Sequence, residues 1–490
     1  MAVERLVRAP RLDAQALPWF NVNRPLDLED LAGKIVILDF WTFCCINCIH
    51  ILPTLRRIED KYPDELMVIG VHSPKFTGER DTRNLEQAIR RYEIVHPVVQ
   101  DAEFRIWKRY AIHAWPTLVF LSPDGYILGQ LPGEPDPKLF EESLDHLVAE
   151  MKRSGTLTGG ARELIAGLAP PEKTGALSFP GKIAWSAADA EFAIADANHN
   201  QIVTAGPDGR ITRRIGTGAI GRRDGALAEA EFYRPQGLCY QDGVIWVADT
   251  ENHLLRRVDL AGGRVSTAAG TGKQGGFLRG AGPAREMALS SPWDVASQDG
   301  WVYFANAGTH QIGVYYPQED QVAQFAGSGQ EALLDGPRLA AAFAQPSGLT
   351  VNADKLYLAD SETSAIRSVR LDKIGLTATY VGTGLFDFGD RDGTGKQARL
   401  QHPLGVHYAD GALFIADSYN HKIKVLNLQT LEVLTVDASV DLVCDETSCT
   451  RLWEPAGVLC LDKTLYVSDT NNHRILKIDL ESGETEIFIE

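Results

Sequence analysis

Residues 35–48 read IVILDFWTFCCINC. Ile35 to Phe40 form a nearly unbroken apolar run, as suits a central strand buried on both faces, and the run leads straight into a cysteine-bearing turn. After that turn, Ile49 to Tyr62 carries Leu52, Leu55 and Ile58 at helical spacing with Glu and Arg residues outside, so the spacing predicts a helix. Cys45 and Cys48 therefore stand where a buried strand becomes a helix. Free N–H groups and the macrodipole at such a terminus stabilise a thiolate, and cysteines so placed titrate at roughly 3.5 to 7.5. Cys45, at the exposed start, is expected to attack a disulfide, and Cys48, one turn inward, to resolve the mixed disulfide. Asp39 lies on the buried strand. It is either an acid satisfied by its neighbours or, with its pKa raised by desolvation, the group that relays a proton to and from Cys48. A structural zinc site is the rival reading of the pair; it needs four ligands, and no second CxxC stands elsewhere in the chain. Cys44 and His50 could join such a cluster only if helix geometry did not send them to different faces. No metal and no cofactor is expected.

Working outward, LMVIGV at 66–71 reads as a second buried strand. A polar helix follows around Asp81 to Tyr92, then PVV at 97–99, a helix near Phe104 to Tyr110 and the strand TLVFL at 117–121. The turn SPDG at 122–125 opens a hairpin into YILGQL, and Pro137 to Lys152 reads as a closing amphipathic helix. Alternating strands and helices make residues 1–153 an α/β layer domain. Residues 154–175 shift to Gly, Thr, Ala and Pro, with Pro170 and Pro171 ending any helix, and read as a linker.

From 176 to 490 the sequence repeats itself. Six aligned segments, among them IWVADTENHLL from 245 and LFIADSYNHKI from 413, place Asp196, Asp249, Asn306, Asp360, Asp417 and Asp469 at spacings of 53, 57, 54, 57 and 52 residues. Pro180, Pro235, Pro292, Pro346, Pro403 and Pro455 keep step upstream. Two markers with one rhythm, and about four short strands per unit, predict a six-bladed β-propeller. Blade six, ending at ETEIFIE, is expected to meet blade one without a swapped strand. The recurring His199, His253, His310, His421 and His473 suggest either a metal ring or, since they recur blade by blade, turn capping and strand bonding. The GTG clusters at 216, 270 and 382 and GSG at 327 follow the blade period and lack the lysine of a phosphate loop, so they read as inter-blade loops.

Composition sets the frame. Of 490 residues, 44% are hydrophobic and 23% charged, a globular balance, and most of the formal charge of -17 falls on the repeat region. An acidic surface repels phosphate backbones, which argues against a nucleic-acid partner and for protein partners. No stretch reaches about 18 apolar residues and the N-terminus lacks a signal-peptide core, so a cytoplasmic, non-membrane protein is expected. Seven cysteines, three of them within five positions, look like chemistry in a reducing compartment and not like a secreted disulfide framework. Cys444 and Cys449 form either an accessory disulfide or two free thiols. Cys239 and Cys460 read as small core residues.

These residues resemble the thioredoxin superfamily, in particular its thiol–disulfide oxidoreductase branch. Asp39, Phe40 and Trp41 match the buried-acid strand, Cys45 and Cys48 the redox pair, Pro53 the helix-kinking proline, and Trp115, Pro116 and Thr117 the cis-proline loop. The resemblance implies a cis peptide at Pro116 and a loop whose backbone pairs with a substrate strand. Trp41 and Trp115 are then either core packing or substrate contacts. Two departures stand out: Ile46 and Asn47 replace the usual Gly-Pro, and Cys44 stands where an aromatic is common, as either an extra exchange partner or a bystander thiol. The repeats resemble NHL repeats, with the signature visible in DTENH, DSYNH and DTNNH, and the combination is similar to NHL-repeat thioredoxin-like proteins. That family implies disulfide exchange at Cys45 and Cys48 with a propeller that positions a protein partner. The alternatives are a scaffold in which both parts only dock, and a catalytic propeller, which is ranked last because no repeat breaks its pattern to install a distinctive catalytic set.

Overall fold

The computed structural model describes residues 7–166, 175–436 and 451–490. Cys444 and Cys449 lie outside the described residues. The chain divides into two compact units, Met1–Glu172 and Lys173–Glu490.

The first unit is built on β3 (Ile35–Trp41), whose seven residues are all buried. It follows the short strands β1 (Val7–Arg8) and β2 (Trp19–Phe20). After β3 come α1 (Ile46–Lys61), β4 (Leu66–His72), α2 (Thr82–Arg91), β5 (Val98–Gln100), α3 (Arg105–Arg109), β6 (Thr117–Leu121), β7 (Tyr126–Pro132) and α4 (Pro137–Ser154). The sheet order is β1-β7-β6-β3-β4-β5-β2. β4 runs parallel to β3, with Asp39 beside Gly70, and β6 runs antiparallel to it, with Phe40 beside Thr117. Alternation then sorts the side chains. Val36, Leu38 and Phe40 pack with Met67, Ile69, Ile106 and Tyr110 on one face. Ile35 and Ile37 pack with Ile51, Leu55 and Ile58 of α1 and Phe140 and Leu144 of α4 on the other. Asp39 and Trp41 fall on the α1 face.

The stretch 154–175 is not wholly a linker. Thr158 N–H donates to Gly33 O at 2.9 Å, Ala161 N–H to Asp64 O at 3.2 Å and Ala166 N–H to Asn21 O at 3.0 Å. Ala161 is fully buried in the first unit's core, with Leu164 and Ile165 packed beside it. Composition alone hid this, because the docking bonds are made by backbone groups that any sequence carries.

The second unit is a six-bladed propeller, one antiparallel sheet per blade. The four main strands of every blade are consecutive in the chain, from Pro180–Ser186 through Ile211–Ile215 in the first blade and from Gly457–Leu461 through Thr485–Ile489 in the last. Among the described residues no strand is exchanged to close the ring. Closure uses apolar contact between Ile183, Phe192 and Val203 of blade one and Leu459, Tyr466 and Ile475 of blade six. Each of the four middle blades gains a short outer strand from the loop before it, as Gly225–Ala226 pairs with Arg264 and Val265. The glycine clusters make those loops: Gly270 sits at φ 97°, and a Cβ there would come within 2.5 Å of the His253 carbonyl oxygen.

Candidate active site

At the C-terminal end of β3 the chain makes one tight turn into α1. Cys45 is the N-cap, in an extended conformation with φ -85° and ψ 114°, and its own side chain makes no capping hydrogen bond. The Cys45 carbonyl oxygen accepts from the N–H groups of Cys48 (3.0 Å) and Ile49 (3.2 Å), so the helix starts under its sulfur. Cys45 is half-buried, Cys48 and Cys44 are buried, and all three are free thiols. Burial, with a hydrogen bond to the Cys45 sulfur and the nearby charges of Cys45 and Asp39, pushes the Cys48 thiol well above its ordinary range. Cys48 therefore holds its proton beside the more open sulfur.

Asp39 is fully buried, and burial raises its carboxyl to about 7, the charge of His96 opposing. Neither of its oxygens has a hydrogen-bond partner among the described residues. Trp41 is also fully buried, its ring edge-on to His72 at 5.2 Å, so it packs the core. The Trp115–Pro116 peptide is cis. From the β3–β6 register, Trp115 and Pro116 lie beyond Phe40 and Thr117, at the same end of the sheet as the cysteine turn. Trp115 is half-buried, its ring 4.6 Å from that of Trp107. Pro53 sits inside α1. His50 is engaged by Glu134, its Nδ1 3.0 Å from Glu134 Oε1.

Glu79 was not foreseen. It is fully buried and ties the cysteine turn down: Oε1 accepts from Thr42 Oγ1 at 2.6 Å and from Cys44 N–H at 3.0 Å, and Oε2 from the N–H groups of Lys75 and Phe76. Cys44 is held by this clamp, with Thr42 Oγ1 3.8 Å from its sulfur.

In the propeller the repeated acids are structural. Asp196, Asp249, Asn306, Asp360, Asp417 and Asp469 are all fully buried, and each accepts the backbone N–H two residues before its blade's marker proline at 2.7–2.8 Å. The histidines reach the next blade instead of capping locally. His253 Nδ1 accepts from Ser291 N–H, His310 from Gln345, His421 from Glu454, and His473 from Phe179 across the ring closure, at 3.0–3.1 Å. His199 does not belong to this set: its Nδ1 lies 2.7 Å from Asp196 Oδ2, and Asn200 takes the latch position, accepting from Arg234 N–H at 3.0 Å. Blade one carries its histidine one place early. Cys239 and Cys460 pack among strand side chains, and burial pushes their thiols up to about 12 and about 11.

Two blades do break the repeat. Two residues after the marker prolines stand Lys182, Gly237, Asp294, Gly348, Gly405 and Gly457. Lys182 and Asp294 line a cavity of about 220 Å³ enclosed by the first strand of every blade. Lys182 Nζ donates to Leu404 O (2.7 Å) and Ala456 O (2.9 Å), and Asp294 accepts from the N–H groups of Leu349 (2.8 Å) and Val295 (2.9 Å). Lys182 ties blade one to blades five and six, and Asp294 ties blade three to blade four, around the axis. Burial lowers Lys182 to about 8 and raises Asp294 to about 6, each held back by the other's charge. A ring of PxG interrupted by one Lys and one Asp was the signal in the sequence.

Comparison with known proteins agrees with both halves. A Thioredoxin-like family model matches residues 33–127 and an NHL repeat model matches residues 232–257. "NHL repeat-containing protein 2" of Bos taurus is 39% identical over 517 residues, covering 97% of this chain and 70% of that protein. The chain belongs to the NHL repeat-containing protein 2 family. "Protein SUPPRESSOR OF QUENCHING 1, chloroplastic" of Arabidopsis thaliana is 41% identical over 496 residues, covering 96% of this chain and 46% of that protein. The thioredoxin-like part alone is similar to "Thiol-disulfide oxidoreductase YkuV" of Bacillus subtilis, 23% identical over 130 residues. Like that similarity, the dithiol geometry of this NHL repeat-containing protein 2 relative supports a redox role, and its propeller is of a type that commonly docks proteins. Among the described residues no helix is long and apolar enough to cross a membrane.

Proposed function

We propose that the chain is a thiol–disulfide oxidoreductase in which Cys45 and Cys48 exchange disulfides with a protein substrate brought by the propeller, in a reducing, cytoplasmic setting. One observation carries this reading: a half-buried Cys45 at a helix N-cap stands beside a buried Cys48 that keeps its proton, with the unpartnered carboxyl of Asp39 behind it. In the forward direction the Cys45 thiolate attacks one sulfur of the substrate disulfide, forming a mixed disulfide and releasing the other sulfur as a thiolate. Asp39 takes the Cys48 proton, Cys48 attacks Cys45 Sγ, and the substrate leaves with its second sulfur reduced. The protein ends as a disulfide and the substrate as a dithiol. The cis-proline loop at Pro116 and the ring of Trp115, at the same sheet end, supply the surface for the substrate strand.

The test is a redox titration of the whole chain with Cys48→Ser trapping. A reversible two-electron couple between roughly -120 and -270 mV, and a Cys45 mixed disulfide that accumulates only in Cys48→Ser, is the expected result. Absence of a reversible couple overturns the exchange reading and leaves a scaffold.

A further inference from the structure

Asp39 needs a route to water if it is to take a proton from Cys48 once per turnover, because it is fully buried. Three buried polar groups without partners among the described residues share the space on the α1 face of the sheet: both oxygens of Asp39, Trp41 Nε1 and His96 Nε2. Trp41 Nε1 and His96 Nε2 lie against Gly70, the β4 residue paired with Asp39 across the sheet. A Cβ built there would stand 2.9 Å from Trp41 Nε1, 3.3 Å from Val98 Cγ2 and 3.5 Å from His96 Nε2. The other ring nitrogen of His96, Nδ1, lies 3.2 Å from Glu59 Oε2 on α1, and that glutamate side chain is 12% exposed. The histidine is fixed from behind: Asn21 Nδ2 donates to the carbonyl oxygens of both Ile94 and His96 at 2.9 Å.

We propose that His96 is the proton conduit of Asp39, reached through one water seated against Gly70, and that Glu59 passes the proton on to solvent. This rests on the exchange reading above. The site has the composition a buried water requires, with two to four polar partners: an indole N–H to donate, an imidazole nitrogen to accept, and a carboxyl able to do either. With Nδ1–H directed at the Glu59 carboxylate, Nε2 is left as the acceptor facing the water. The proton leaves the Cys48 thiol for the Asp39 carboxylate, then passes from the carboxylic acid through the water to His96 Nε2, while Nδ1 releases its proton to Glu59. The titratable groups that act on Asp39 are Cys48 from α1, itself beside Cys45, and His96 from the loop before β5, with His72 two residues beyond Gly70 on β4. His72 is kept neutral by burial, which lowers it to about 3, and so stays outside the transfer. His96 acts through Asp39 and is a positioning and conducting residue, whereas Asp39 meets the reacting thiol.

The experiment follows the reduced full chain with 5,5′-dithiobis(2-nitrobenzoate). Attack by Cys45 releases one nitrothiolate, and resolution by Cys48 releases the second in a phase absent from Cys48→Ser. In His96→Gln the second phase should slow about tenfold at neutral pH and lose its wild-type pH profile, with the first phase unchanged. Gly70→Ala, whose Cβ takes up the space beside His96 Nε2 and presses on Trp41 Nε1, should show the same defect. Both variants within about twofold of wild type at every pH, in a chain where Asp39→Asn does slow the second phase, would overturn the conduit and leave exchange standing. A wild-type chain with no second phase overturns the exchange reading instead. Carbon-13 titration of the Asp39 carboxyl then tests the proximity the conduit requires: His96→Gln should move its midpoint upward, because a protonated His96 favours the ionised form. An unmoved midpoint would overturn it.

Discussion

Asp39 in the thioredoxin-like unit and Asp360 in the propeller are both fully buried carboxylates in the C-terminal half of a strand, and burial raises both, to about 7 and about 6. Their pKa directions do not tell them apart. Their partners do. Asp360 accepts from Ala344 N–H at 2.7 Å and from Arg367 at 3.0 Å, and that guanidinium is itself fully buried and also bound by Asp335. Asp39 has no hydrogen bond to either oxygen among the described residues. A buried acid whose lone pairs are all used holds a fold together. A buried acid left without partners costs stability, and its proton remains free to move.

The comparison breaks most visibly under substitution. Asp360→Ala should destabilise the propeller by roughly 3–5 kcal/mol, since it leaves the buried Arg367 charge with Asp335 as its one carboxylate partner and takes the acceptor from the Ala344 N–H. Asp39→Asn should do the opposite. The unfolded carboxyl titrates near 3.9 and the folded one at about 7, so the native state holds the proton more tightly. Stability from this group is fully present below about pH 4 and is lost as pH rises through about 7. Removing the charge should therefore stabilise the first unit by on the order of 3 kcal/mol at pH 8 and by almost nothing at pH 4. Calorimetry of the whole chain at both pH values checks the two variants together. Destabilisation by Asp39→Asn at pH 8 would mean that the carboxylate has structural partners after all.

A smaller effect sharpens the same contrast inside the first unit. Glu79 is the satisfied acid there, with four donors on its two oxygens. Glu79→Gln turns one acceptor oxygen into a donor facing donors, and should cost about 1–3 kcal/mol. Because Thr42 and Cys44 precede the reactive pair, the loss should also appear as faster alkylation of Cys44. Iodoacetamide labelling with mass mapping reads it out, and Cys44 labelling as slow as in wild type would remove Glu79 from the cysteine turn.

What the sequence made legible follows from how local each signal is. β3, the helix after it and the position of Cys45 and Cys48 are read from periodicity within 27 residues, 35 to 61, and the blades from markers that recur in step. Glu79 and His96 were missed because each acts on partners more than 30 residues away and sits in a polar stretch, SPKFTGER or EIVHP, where charged and polar side chains ordinarily face water. Lys182 and Asp294 were legible, but only by aligning the blades on proline and asking which blade lacks the glycine. His199 was misassigned for the converse reason: alignment by residue type put a histidine in register, while the backbone places Asn200, at φ 54°, where His253 stands at φ 54° in the next blade.

The latches give the smallest and most discriminating test. His473 joins the last blade to the first through Phe179 N–H, and His253 makes the same 3.0 Å bond between two blades already joined by the chain. Either histidine replaced by Ala should cost about 0.5–1.5 kcal/mol, the net value of one hydrogen bond. Their kinetic consequences should differ. With no exchanged strand among the described residues, the contact between blades six and one is the place where the ring can open without breaking a covalent connection. His473→Ala should therefore speed unfolding and raise hydrogen exchange in Pro180–Ser186 and Gly457–Leu461, whereas His253→Ala should leave those strands as protected as in wild type. Equal exchange in both variants would mean that the ring opens as one cooperative unit, with its closure no weaker than any other blade contact.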